Sequence, residues 1–231
     1  MCAKKMTVWT AALATAAGLV APTASADPLP GCVDGGFGPP VDMVAPTGST
    51  ACVLRGSDGW SYQATWSQGA TQYEWEAAIQ VADPRGAVRQ SVREQVGGIS
   101  KPYGFKLWDL DQDGLPELVV HKDDGAQNGI WSVWRRPADN ALFQRAGSFG
   151  AVATLPEEGG FFLALWHMSA GEHTRRLDRF DQDNAIVEVA VGDDAISRTS
   201  PGGTCELTKT GDLAAAGLTW EQAKERLCRE W

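Results

Sequence analysis

Apolar and polar residues alternate along much of this chain. The stretches Trp60 to Ser67 (WSYQATWS), Gln72 to Ala82 (QYEWEAAIQVA) and Ala87 to Val96 (AVRQSVREQV) carry apolar residues close to every second position, the period of a strand with one buried face. Between the last two lies Asp83-Pro84-Arg85-Gly86, with Pro second and Gly fourth, so a type I turn and a hairpin are predicted there. Further on, LPELVVH (115–121), GIWSVWRR (129–136), ALFQRAG (141–147), GGFFLALWHM (159–168), EHTRRLDRF (172–180) and AIVEVAV (185–191) read as strands, with turns at Pro137 to Asn140 and at Asp181-Gln182-Asp183-Asn184. About ten strands at near-regular spacing predict an all-β fold: an antiparallel sheet, sandwich or open barrel. Only the tail has a helical period. Thr219 and Gln222 form a capping box, and Trp220, Ala223, Leu227 and Trp231 share one face.

The ends differ from this middle. Lys4 and Lys5 precede an apolar, alanine-rich run from Met6 to Ala21, and Ala24-Ser25-Ala26 has the small residues of a cleavage site, so residues 1–26 are expected to be a signal peptide cut near Ala26. The run is short for a bilayer, and no later segment is apolar enough to span one. Residues 27–59 are rich in Gly and Pro, lack periodicity and read as an extended lead-in. A β domain is expected over 60–192, and a tethered segment with the helix over 193–231.

Secretion changes the charge and cysteine accounts. The whole chain carries a net charge of -9, and loss of two lysines with the leader makes the remainder more acidic. That excess disfavours nucleic acid and anionic membranes as partners and favours cations and cationic proteins; acidity for solubility alone is the plain alternative. Cleavage also removes Cys2. Cys32, Cys52, Cys205 and Cys228 remain, an even number for an oxidising compartment, either periplasmic or extracellular. Three pairings are possible, and one cysteine pair near each end suggests Cys32 with Cys52 and Cys205 with Cys228. The competing use of Cys32, as an acylated lipoprotein N-terminus after Leu29-Pro30-Gly31, places it far beyond the apolar run.

The densest chemistry lies at Asp109 to Val120, DLDQDGLPELVV. Carboxylates at every second position repel one another unless a cation sits among them. Calcium takes six to eight oxygen ligands, which Asp109, Asp111, Asp113, the Leu115 carbonyl and Glu117 can supply around a glycine bend. An EF-hand needs an acid at the twelfth position, here Val120. The stretch resembles the D-x-D-x-D-G-x-x-D loop of FG-GAP and VCBS-type repeats, with Glu117 in place of the last Asp, and that resemblance implies calcium in a turn between two strands. A later stretch, Asp181-Gln182-Asp183-Asn184, echoes it, but Arg179 and Val187 stand at the matching outer positions, so it reads as a hairpin turn, with a decayed second metal loop as the alternative.

A wider resemblance covers residues 60–192. The IQVADPRGAVRQ hairpin, the acidic loop, WSVWRRPADNALFQ, the strands around WHMSAGEHTRR and a closing hairpin follow an order similar to that of secreted proteins related to PliI-type lysozyme inhibitors. The resemblance implies a binding protein that inhibits a cell-wall hydrolase, or confers immunity to one. In that family an S-G-x-Y loop enters the glycosidase site. Ser169, Gly171 and His173 occupy the comparable loop here, with His173 where tyrosine is expected, and an ordinary glycine turn is the plain alternative.

No motif points to catalysis. GxSxG is absent, His121 follows an apolar run and reads as a strand-end residue, His167 and His173 lack zinc-motif spacing, and binding rather than chemistry is the expectation. The alternative function is a calcium-stabilised glycan-binding module, which requires several of Trp60, Trp66, Trp75, Trp131, Trp134 and Trp166 to share an exposed face. Trp131 and Trp134 differ by three positions and so point to opposite faces of a regular strand.

Overall fold

The computed structural model describes residues 28–35, 42–97, 104–124, 128–139, 141–169, 172–195 and 204–229. The expected signal peptide, Gly171 and Trp231 lie outside them. In chain order the strands are β1 (Val33–Asp34), β2 (Met43–Val44), β3 (Ala51–Arg55), β4 (Ser61–Gln68), β5 (Glu74–Ala82), β6 (Val88–Gly97), β7 (Phe105–Trp108), β8 (Glu117–Asp124), β9 (Gly129–Arg135) and β10 (Gln144–Ala151). β11 (Ala153–Glu157), β12 (Phe161–Ser169), β13 (Glu172–Phe180), β14 (Ile186–Ala195) and β15 (Thr204–Thr210) follow, and then one helix, α1 (Trp220–Cys228). The fold is all-β, with three antiparallel sheets in the orders β3-β4-β5-β6, β1-β2-β7-β8-β9-β10 and β11-β12-β13-β14-β15. The turn at Asp83 closes as expected, with the Gly86 N–H donating to the Asp83 carbonyl at 2.8 Å between β5 and β6.

The sheets stack in layers, and the side-chain pattern shows why. In the four-stranded sheet Tyr62, Ala64 and Trp66 of β4, Ala77, Ile79 and Val81 of β5, and Val92 and Val96 of β6 all face one core, while the residues between them are mostly more exposed. Leu118 and Val120 of β8 enter that same core from the six-stranded sheet. Val119 of β8 and Val133 of β9 point the other way, into a second core shared with Phe162 and Ala164 of β12. Phe161 and Leu163 leave β12 on its far side and meet Ala223 and Leu227 of α1. The six-stranded sheet is therefore the middle layer, and β12 is covered on both faces. Continuous apolar runs such as LVV (118–120) and FFLAL (161–165) belong to strands with no wet face, whereas outer strands alternate. Trp131 and Trp134 do diverge: Trp131 packs in the second core, and Trp134 lies against the first with its indole N–H donating to Glu94 Oε1 at 2.9 Å.

Several strands lie where the sequence pattern predicts none. β1, β2 and β3 fall in the Gly/Pro-rich lead-in, and β3 pairs with β4 over Ala51 to Arg55. β7, β11 and β15 are also additional. All of these are short or border a sheet, so few alternating residues mark them. Both disulfides form as the spacing suggested. Cys32–Cys52 has a Cα separation of 4.9 Å and holds residues 30–32 along β3, where the Cys32 N–H donates to the Val53 carbonyl at 3.0 Å. Cys205–Cys228 ties β15 to the end of α1. Thr219 and Gln222 complete the capping box, and Ala223 and Leu227 are the buried face of α1, while Trp220 is exposed. No helix among the described residues is long and apolar enough to cross a membrane.

Candidate metal centre

The acidic loop joins β7 to β8. Their register brings Trp108 opposite Glu117, so the first and last carboxylates, Asp109 and Glu117, start at the base of one hairpin. Leu110 is fully buried in the second core and pins the loop from inside. Its neighbours bend the chain around that anchor: Gln112 has φ +58° and Gly114 φ +88°. A side chain at Gly114 would meet nothing, so glycine serves the backbone angle there.

Backbone donors orient the carboxylates. The Leu110 N–H donates to Glu117 Oε2 at 2.8 Å, the Gly114 N–H to Asp109 Oδ2 at 3.0 Å, and the Leu115 N–H to Asp113 Oδ1 at 2.8 Å. These contacts leave Asp109 Oδ1, Asp111 Oδ1 and Glu117 Oε1 buried with no hydrogen-bond donor among the described residues. One oxygen from each of Asp109, Asp111 and Glu117 lies within 4.8 Å of the others. Two ligands on opposite sides of an ion at about 2.4 Å are themselves about 4.8 Å apart, so one calcium-sized cation is within reach of all three. Asp113 is more exposed and is not part of this convergent group, and Leu115 borders the adjoining cleft.

Arg135, the last residue of β9, is the contributor that sequence spacing does not reveal. Its Nη2 lies 2.6 Å from Asp111 Oδ2 and 2.8 Å from Asp113 Oδ2, and its Nε is 3.6 Å from Glu117 Oε1. Nη1 donates to Asn184 Oδ1 at 2.6 Å, and the guanidinium lies 4.7 Å over the Phe180 ring. Asn184 belongs to the turn between β13 and β14, where Asp181 Oδ1 accepts the N–H groups of Asp183 and Ala185 and Asn184 takes φ +62°. The echo of the acidic loop is thus a hairpin turn that packs on the same arginine. The only signal in the sequence is that WSVWRR ends its strand in a basic pair.

One guanidinium does not neutralise the group. Burial pushes the Glu117 carboxyl up to about 8; the Leu110 N–H and Arg135 pull it down, while Asp111 and Asp113 push it further up. Asp111 is also raised, by burial first, with Arg135 opposing. Folding has therefore placed carboxylates where water stabilises their charge poorly, and a cation among them would hold them ionised.

Outside this loop the expected partner residues lie on the β12–β13 hairpin. Ser169 is exposed, with its hydroxyl donating to Glu172 Oε2 at 3.1 Å. His173 faces His167 across the pair, Nε2 to Nδ1 at 3.1 Å. Just before the tip, Met168 is 61% exposed and Trp166 36%; Trp166 lies so close over Gly150 that a Cβ there would collide with its ring. The other strand tryptophans do not form an exposed platform: Trp60, Trp66 and Trp131 are buried, and Trp75 and Trp134 are half-buried.

His121 is not a strand end but lies inside β8. It is buried with Asp42 at 2.6 Å and lies against Trp131, and Lys106 is 3.5 Å from the same carboxylate. Desolvation lowers the Lys106 ammonium pKa, and Asp42 opposes that shift. This ionic cluster lies inside the sheet stack. Compared with protein-family models, with curated proteins and with solved structures, the chain matches none.

Proposed function

We propose that this is a calcium-binding protein of an extracytoplasmic, oxidising compartment that acts by binding and inhibits a cell-wall hydrolase of the lysozyme class. The observation that carries the calcium part is the convergence of the Asp109, Asp111 and Glu117 carboxylates within 4.8 Å on the β7–β8 loop, each of which also has one buried oxygen without a hydrogen-bond donor among the described residues. Asp109, Asp111 and Glu117 hold the ion, and the sequence pattern adds Asp113 and the Leu115 carbonyl. The ion's role is to keep the loop closed between two core strands. All-oxygen ligation of this kind suits a hard cation rather than zinc or copper.

The inhibitory part rests on the resemblance in element order and on the β12–β13 hairpin. Its end offers apolar Met168 and Trp166 beside polar Ser169 and acidic Glu172, the mixture that forms a protein contact with an apolar centre and a polar rim. The acidic chain would speed encounter with a basic hydrolase. A platform of stacked tryptophans, on which the glycan-binding alternative depends, has only Trp166 among the six strand candidates to offer.

The test is inhibition of animal and bacterial peptidoglycan hydrolases by the purified protein in calcium. Met168→Glu should lower inhibition at least tenfold with an unchanged melting temperature, because the side chain is mostly solvent-exposed. Binding to insoluble peptidoglycan with no inhibition of any hydrolase would replace this reading with the glycan-binding one.

A further inference from the structure

We propose that His167 and His173 form a second metal site, one that takes a borderline divalent transition ion such as Cu2+ or Zn2+ and differs in chemistry from the all-oxygen loop. The two residues are direct partners in the β12–β13 register, and a shift in that register follows immediately after His167. Their rings meet edge-on with centroids 4.8 Å apart, and His167 Nδ1 is 3.1 Å from His173 Nε2. Two imidazole nitrogens bound to one ion at about 2.0–2.1 Å, at angles between square and tetrahedral, lie roughly 2.8–3.4 Å apart. The observed separation falls inside that range. Without an ion the two nitrogens share a hydrogen bond; coordination replaces it, and each ring must turn until its lone pair lies about 35–45° off the N···N line.

The mounting is rigid on one side. Asn128 is nearly buried and clamps the main chain of His167 at both ends: its Oδ1 accepts the His167 N–H at 2.8 Å and its Nδ2 donates to the His167 carbonyl at 2.9 Å. Holding a ligand residue in place before the ion arrives lowers the entropic cost of binding. Both histidines are half-buried, open enough for an ion with water in its remaining positions, and Glu172 next to His173 adds negative charge at the hairpin end. Imidazole suits copper, nickel and zinc, whereas calcium prefers oxygen, so the two sites do not compete for the same ion.

The experiment uses the whole protein with excess calcium present, so that the loop reading and this one fail separately. Titration with Cu2+ should give one tight equivalent whose electron paramagnetic resonance spectrum shows coupling to two nitrogens, and Zn2+ should occupy the same site more weakly, with bound Zn2+ displaced by Cu2+. Because the second imidazole acts as an intramolecular ligand, His167→Gln and His173→Gln should each weaken this binding by about 10²–10⁴-fold. Both variants keep a polar side chain of similar length, and circular dichroism checks their fold. Asp111→Asn should leave copper affinity unchanged while altering the response to calcium. Equal copper affinity in the wild type and both histidine variants, or a spectrum with no coupling to two nitrogens, would overturn the site.

Discussion

Glu117→Gln is the sharpest perturbation of the acidic loop, because its effect should reverse sign with calcium. The side chain is completely buried, with Oε2 held by the Leu110 N–H and Oε1 lacking a donor. Its carboxyl moves from an ordinary 4.5 to about 8 on folding. A raised acid stabilises the fold fully below the unfolded value and loses that contribution as pH rises through the folded one. Without calcium, stability should therefore decline between about pH 4.5 and 8, and by pH 7 the loss from this group is about 3 kcal/mol. Glutamine carries no charge to desolvate, accepts the same Leu110 N–H, and turns an NH2 toward the donorless oxygens of Asp109 and Asp111. The variant should then be more stable than the wild type in chelator at pH 8 and similar to it at pH 4.5. Calcium at a hundredfold excess over Kd stabilises a folded protein by about 2.7 kcal/mol, or about 5–10 °C in a chain of this size. Wild type should show that rise, and Glu117→Gln should lose most of it. Thermal melts by circular dichroism in chelator and in calcium, across pH, measure both effects. Equal calcium responses in the two proteins, or a variant less stable than wild type in chelator at pH 8, would refute the reasoning.

The remaining predictions follow from other buried charges and from the bridges. Arg135→Met leaves Asp111 and Asp113 without their guanidinium, and should cost about 3–5 kcal/mol in chelator but clearly less in calcium; an identical loss in both conditions would show that the arginine acts only through packing. Burial raises Asp178 to about 6 against the pull of Arg176, so its contribution is present below about pH 4 and lost as pH rises through 6. Asp178→Asn should accordingly flatten the stability profile between pH 4 and 7.5, removing a loss of up to about 3 kcal/mol, and an unchanged profile in urea melts would count against it. Breaking Cys205–Cys228, which closes a loop with a sequence separation of 23, should cost about 3 kcal/mol and raise hydrogen exchange in α1 before the central sheet; uniform exchange throughout would contradict the helix being a tethered outer layer.

The linear pattern was enough to give the fold class, most of the longer strands and the capped helix, and to suggest one of the three cysteine pairings. Each depends on local rules: period two for a half-buried strand, Thr219 and Gln222 three apart for a cap, and short separations for the bridges. The carboxylates of the acidic loop were also legible, since Asp109 to Glu117 are neighbours in sequence. What only the tertiary structure decided is which of them converge and what faces them. Asp109, Asp111 and Glu117 converge while Asp113 stays more exposed, and Arg135, which arrives from the end of β9 and is itself held by Asn184 from the third sheet, pairs with both Asp111 and Asp113. The layer order, the burial of His121 with Asp42 and the meeting of His167 with His173 likewise depend on strand pairing and sheet stacking. Periodicity shows which side of a strand is buried, but it carries no information about which sheet covers that side. Contacts between residues far apart in the chain are set by that choice, through burial of apolar faces on both sides of the central strands.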